Sequence, residues 1–364
     1  MTRLLTNITA WLILISTSAT ASVDTIASRF VYNHNSDITL QGSQLIAGNT
    51  ASLDADGDIH LLAAQNQETS KTSFNNDSVS VGATVAAGGQ QTGVSFQIGY
   101  SDGRGDSQST LTTWQESLIH GAQVNLTSGH DLELIGAQVH GEHISVDVGG
   151  DLIIESVQDT YTFESDSNSG GINLSICIPP ICYGSMVTAS AHYNQSDLDV
   201  SIASVQEQSG LFAGSQGFDV NVEGHTTLIG GVISSSQEAI DNGLNHFDTA
   251  TLSVEDIENT STVEGAAYAV SGSVSSDPTP DQPDDNKNGS VSVGPPGVGE
   301  INEQLISITA SGISAGNHTI RDNQAQQSLT GQSSEQTLAS LNTTVTTETA
   351  DAKASNGHPK TKHS

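Results

Sequence analysis

Basic residues are the scarcest feature of this 364-residue chain: 9 Lys and Arg stand against 41 Asp and Glu, a formal net charge of −32. None lies between Arg104 and Lys287. A nucleic-acid partner needs cations that displace condensed counterions, so the composition argues for no nucleic acid among the partners. Anionic membrane surfaces are disfavoured for the same reason. Aromatic residues are 4% of the chain, which excludes a compact core built on large rings. Two cysteines, Cys177 and Cys182 in Cys-Ile-Pro-Pro-Ile-Cys, are too few for a four-ligand zinc site. They read either as a small disulfide-closed loop in an oxidising compartment or as two thiols on a strand–turn–strand edge. Long apolar runs are missing too, since Ala10–Ile15 falls well short of the roughly 20 residues of a membrane span. With Arg3 before it and Ala19-Thr20-Ala21 after it, residues 1–22 have the outline of a secretory leader, interrupted by Thr6, Asn7 and Thr9. They are set apart as a signal-like or non-native segment.

What is abundant is Ser, Thr, Asn, Gln and 36 glycines, the composition of short strands and turns. Asp–apolar–x–apolar units recur at Asp37, Asp58, Asp131, Asp151 and Asp219, and Gly-Ser/Ala-Gln-apolar units recur at Gly42, Gly121 and Gly136. Most alternate apolar and polar residues with period two, which predicts strands. A unit of about 20 residues is too small to bury a face alone, so similar units must stack. The predicted fold is all-β: a right-handed parallel β-helix with hairpin excursions, about ten coils of about 20 residues each. An antiparallel sandwich is the alternative, with turns about every 8–12 residues. Two segments leave the rhythm, 66–115 and 160–200, the first with alternating Val79, Val81, Ala83 and Val85. The domain reading is a β-helix over 23–274, a Pro/Gly/Asp-rich linker over 275–299, a small mixed strand and helix segment over 300–350 and a disordered tail over 351–364. Ser333-Ser334-Glu335-Gln336 has the spacing of a capping box and predicts a short helix through Leu338 and Leu341.

Candidate chemistry is thin. The repeat core lacks the Arg or Lys that many β-helical polysaccharide lyases use as base, and paired acids such as Asp147 and Asp151 are more often turn-formers than a glycosidase pair. No enzyme activity, catalytic residue or cofactor is expected. His120, His130, His140 and His143 fall within one or two coils, where they either stack on one face toward a metal or serve as exposed turn residues. The second reading is preferred, so no metal ligand is assigned. Arg104-Gly105-Asp106 spells an integrin-adhesion tripeptide in a Gly- and Ser-rich stretch expected to be a loop.

Several stretches resemble a known family. Ile38-Thr39-Leu40-Gln41-Gly42-Ser43-Gln44-Leu45, Leu61-Leu62-Ala63-Ala64-Gln65-Asn66, Glu155-Ser156-Val157-Gln158-Asp159-Thr160 and Cys177 to Gly184 are similar to hemagglutinin repeats. So are Glu207 to Gly214, Asp256-Ile257-Glu258-Asn259 and Ala325-Gln326-Gln327-Ser328-Leu329-Thr330-Gly331. These belong to filamentous hemagglutinins and contact-dependent growth inhibition toxins of Gram-negative bacteria. The resemblance covers roughly residues 35–345. It implies a non-enzymatic, secreted or cell-surface module acting in target-cell delivery, virulence and inter-bacterial competition. It also implies a target-cell surface or outer-membrane receptor as partner, together with the toxin module and two-partner transporter of full-length members. No Val-Glu-Asn-Asn junction and no Asn-Pro-Asn secretion motifs occur in this sequence, so it is expected to represent the repeat block alone. A host-cell adhesin using Arg104, Gly105 and Asp106 is the alternative.

Overall fold

The computed structural model describes residues 25–34, 36–86, 91–184, 187–276 and 289–347. The leader-like segment 1–22, part of the Pro-rich stretch (277–288) and the tail 351–364 lie outside these residues.

The alternation becomes short strands that stack in parallel and in register, and the pairings fall into three columns. Leu40, Leu61, Leu134, Ile154 and Leu228 follow one another up the first column. Leu45, Ile119, Val139, Leu211, Ile233 and Ile313 do so up the second. Leu53, Leu126, Val146, Val220 and Phe247 form the third. All but the partly buried Leu40 are buried in a single core cluster. Each full side chain removed from water contributes roughly 2 kcal/mol, so burial along the stack, not any one coil, holds the fold. Following the chain from column to column gives seven coils among the described residues, spanning about 30 Å at the usual strand spacing of roughly 4.8 Å.

The recurring aspartates hold one corner. The Oδ1 of Asp37 accepts from the backbone N–H of Asp58 at 3.0 Å, and Asp58 in turn from Asp131 at 2.9 Å. Asp131 accepts from Asp151 and Asp151 from His225, both at 2.7 Å. Each carboxylate thus satisfies a turn N–H of the next coil, which is why acids one above another are tolerated. Asp219 does not join this ladder. It lies inside the third column, opposite Ser145 and His246, so its apparent repeat unit belongs to a different side of the coil.

The second corner alternates between two solutions. Gly42, Gly136 and Gly230, successively 94 residues apart, turn the chain directly into the next coil with φ of 54°, 63° and 56°. Only glycine adopts this backbone freely, and a Cβ on Gly136 would stand 2.5 Å from that of Ala63. In the intervening coils, after 62, 155 and 255, the chain instead leaves as a long hairpin arm. The repeating unit is therefore two coils plus one arm. Arm one is Ala64–Ala86 with Gln91–Gln115, arm two is Gln158–Gly184 with Val187–Val205, and arm three is Ile257–Ser276 with Gly289–Val293 and Gly297–Thr309.

These arms correct the expected layout in two ways. Each absorbs roughly fifty residues, so the coils among the described residues number seven where about ten were expected. The stretch expected as linker and separate segment contributes strands to arm three, with Pro295 and Pro296 in the break between two of them, and 312–320 completes a last coil on Val232, Ile233 and 246–249.

Helices close the upper end. The capping box forms as read, with Ser333 and Gln336 exchanging bonds at the start of Ser334–Ser340. From the preceding helix Asn323–Thr330, buried Gln326 donates to the carbonyl of Leu252 at 2.8 Å and accepts from its N–H at 2.7 Å. Its amide, chemically a peptide group, thus stands in for the next strand and covers an exposed ladder edge. Arg321 ties the last coil down, pairing with Asp248 and donating to the Val222 carbonyl at 2.8 Å.

Candidate functional site

The three arms zip together antiparallel into one sheet of seven strands, Gly289–Val293 and Gly297–Thr309 sharing the edge of Ile257–Ser276. At the roots, Trp114 donates its backbone N–H to Asp159 at 2.9 Å and its indole N–H to the Gln158 carbonyl at 3.0 Å, joining arms one and two. Asn259 joins arms two and three: its side-chain oxygen accepts from Val205 N–H at 2.9 Å and its amide donates to Thr309 Oγ1 at 2.9 Å. Away from the roots no described residue is packed over either face, and the side chains of residues 65–82 are all exposed. The molecule thus presents a single-layer wing on a core-bearing stack.

Because paired residues share a face, the register reads out what each face carries. Toward the tip, one face bears Val79, Tyr100, Ile172, Ala191 and Gly272 in one row, ending at Val293. The next row bears Val81, Ile98, Leu174 and Ala189. Val79, Val81, Ile172 and Val293 are 72%, 79%, 59% and 70% exposed, so this apolar surface faces water. The opposite face at the same level is Ser80, Gly99, Asn173, Ser190, Ser273 and Ser292. Nearer the roots the apolar face becomes acidic: Asp106, Asp166 and Asp197 stand directly opposite one another, followed by Glu164, Asp199 and Glu264.

Arg104-Gly105-Asp106 lies here, and its setting differs from the expected loop. It occupies the middle of Gln91–Gln115, paired on one side with Asn75, Phe74 and Ser73 and on the other with Asn168, Ser167 and Asp166. Both charged side chains are exposed on one face, yet the backbone is extended and hydrogen-bonded on both edges. Cys177 and Cys182 lie on Gln158–Gly184 at a register irregularity opposite Ser95 and Gly93, and their side chains lie outside the described residues.

The remaining candidates serve the stack. His120 and His140 are paired neighbours with ring centroids 6.5 Å apart, and His140 stacks on buried Phe212 at 4.7 Å, a ring ladder on the second column. His143 Nδ1 bonds the Gly217 carbonyl at 3.1 Å, and no group of three potential ligands gathers among the described residues. Asp147 accepts from Asn221 at 3.1 Å and Asp151 from His225, so both acids are engaged in coil-to-coil contacts. Sequence reasoning missed Glu116, where arm one rejoins the stack. Burial, with Glu207 and Asp159 nearby, pushes its carboxyl up to about 8, and its Oε2 is buried without a partner. Asp159 is raised as well, chiefly by burial. Burial lowers His225 and His318, the latter edge-on to Phe247 at 6.2 Å.

Residues 15–171 match the family described as hemagglutinin repeat. The chain is 35% identical over 304 residues to the protein named toxin CdiA of Escherichia coli, covering 81% of this chain and 9% of that protein. It is 35% identical over 301 residues to deoxyribonuclease CdiA of Yersinia pseudotuberculosis serotype O:3 (strain YPIII), covering 81% and 26%. To tRNA nuclease CdiA of Escherichia coli O6:K15:H31 (strain 536 / UPEC) it is 38% identical over 230 residues, covering 62% and 7%. The chain thus spans a small part of the relatives it matches. No solved structure matches it.

Proposed function

From a chain that carries the hemagglutinin repeat and aligns over most of its length with CdiA toxins, we propose a non-enzymatic structural and delivery module of a contact-dependent toxin or hemagglutinin-type exoprotein. The coils are taken as a right-handed β-helix, the hand that parallel crossovers adopt in nearly all cases. The module works outside the cell, secreted or surface-bound, against a target-cell surface or outer-membrane receptor. Its toxin module and two-partner transporter are those of the longer relatives. The nuclease activities in the relatives' names belong to a C-terminal toxin domain of those proteins and are not assigned to this repeat block.

The observation that carries the reading is the wing. Three arms leave at one corner, two coils apart, and join into one exposed sheet, so the stack acts as a scaffold that sets their spacing. Stacked coils whose polar groups are tied to one another offer little for turnover, whereas a broad two-faced sheet offers a contact surface. Labelled full chain is expected to bind Gram-negative target cells saturably and to be displaced by unlabelled chain. Binding no greater than that of an equally acidic control protein would overturn the proposal.

The adhesin reading ranks second. It rests on the exposed Arg104 and Asp106 side chains, but their backbone is fixed between two strands. Attachment of integrin-bearing cells to the immobilised chain that survives Asp106→Glu would remove it.

A further inference from the structure

The seven-stranded sheet ends at Ala64–Ala86, whose outer edge has no partner strand among the described residues. Alternate residues along such an edge point their N–H and C=O groups outward, a template for one more strand. Every side chain over residues 65–82 is exposed, and no proline interrupts the run. The opposite edge is guarded. Pro295 and Pro296 split it into Gly289–Val293 and Gly297–Thr309, and the second of these carries Glu300 and Glu303 without a base.

We propose that the open edge takes the same strand of a second copy, antiparallel about a twofold axis through Phe74. Parity and charge set the register. Opposed residues must both be odd or both even, because outward backbone groups must meet outward groups and side chains must share a face. The charged residues between 65 and 82 are Glu68, Lys71 and Asp77. Parity bars Lys71 from Glu68 and allows Asp77. Within one chain Lys71 and Asp77 form no ion pair among the described residues. Lys71 stands opposite Gln108, and Asp77 opposite another acid, Asp102. Pairing Lys71 with Asp77 of the second copy answers both, once on each side of the axis, and sets Glu68 opposite Ser80. Phe74, 53% exposed and lying over Gly105, then meets its twin on the axis as an aromatic cross-strand pair. Phe74 is near the middle of Ala64–Ala86, so the two stacks stand beyond opposite ends of the joined strands. The two copies of Asp106 are about 16 Å apart at ordinary sheet spacings, or about two Debye lengths. One open edge per copy closes the assembly at two. This inference stands apart from the delivery reading and needs no target cell.

Sedimentation equilibrium of the full chain tests it, with a reversible monomer–dimer Kd expected on the order of 50 µM. Lys71→Asp and Asp77→Lys are each expected to weaken the dimer about tenfold, since two attractive contacts become repulsive. The double variant Lys71→Asp with Asp77→Lys restores the contacts in reverse and is expected to return within about threefold of the wild type. An effect of net charge alone would move the two single variants in opposite directions. Far-ultraviolet circular dichroism checks that all three keep the wild-type strand content. With Cys177 and Cys182 replaced by Ser, one spin label at residue 70 of each copy is expected to report about 27 Å across the dimer at concentrations above its Kd. A chain that stays monomeric at several hundred µM, single variants that shift oppositely, or a double variant no tighter than the singles overturns the proposal. So does growth past the dimer, which would join this edge to that of arm three.

Discussion

Stack and wing are built from the same kind of strand and held by different forces. In the stack, strands as short as Leu132–Ile135 place every second side chain in a common interior, and Leu134 and Ile154 are fully buried. In the wing, strands of twenty residues or more expose both faces, so ladder hydrogen bonds and cross-strand pairs carry the order. Hydrogen bonds net only about 1 kcal/mol each in water, whereas core burial adds coil by coil. The stack is thus the stable scaffold and the wing its dependent surface, anchored through Trp114, Gln158 and Asn259.

The largest expected effect separates the two regions directly. Leu134→Ala opens a cavity in the core and is expected to cost about 3 kcal/mol in thermal or denaturant unfolding. Val81→Ala in the wing is expected to change stability by less than about 0.5 kcal/mol. Equal losses would erase the distinction. Next comes the edge cover: Gln326→Leu leaves the N–H and carbonyl of Leu252 unpaired, at about 2 kcal/mol, read as a drop in the first unfolding transition.

At the junction the effect depends on pH. The Glu116 carboxyl is raised from its ordinary 4.5 to about 8, so the folded state holds the proton more tightly than the unfolded one. Its stabilising contribution is complete below about 4.5 and is lost as pH rises toward 8. Glu116→Gln is therefore expected to match the wild type near pH 5 and to be more stable near pH 8.5, by roughly 1–3 kcal/mol after allowance for screening. His225 and His318 act with the opposite sign. Lowered by burial, they favour the folded state above their ordinary value and withdraw that support as pH falls below it. The smallest effect lies on the acidic row: Asp166→Asn relieves repulsion from Asp106 and Asp197 and is expected to gain about 0.5 kcal/mol, fading at high salt.

Much of the stack was legible because its code is local. Period-two alternation marked the strands, and the spacing of Asp37 to Asp58 and Asp131 to Asp151 marked the coil, since each pair is bonded across adjacent coils. Asp219 misled because Phe218-Asp219-Val220 copies the local pattern from another column. The wing was less legible, because its order is a backbone pairing between residues as distant as Tyr100 and Ile172 or Ala191 and Gly272, which leaves no side-chain signature. Its third arm read as linker because the prolines between 278 and 296 mask the strands on either side. A signal was present in Gly42, Gly136 and Gly230, whose 94-residue spacing measures the full unit of two coils and one arm. The acids around Glu116 and the cover provided by Gln326 come together only when distant segments meet.

The account stands on three sequence-distant arms forming one sheet. Ser80 and Ser292 lie on the same polar row, linked through Gly99, Asn173, Ser190 and Ser273, five strand spacings or about 24 Å apart. With Cys177 and Cys182 replaced by Ser and spin labels placed at 80 and 292, pulsed electron resonance on the full chain is predicted to give one narrow distance near that value, widened only by the label arms. A broad distribution reaching beyond about 50 Å would mean that the arms stand apart, and would contradict it.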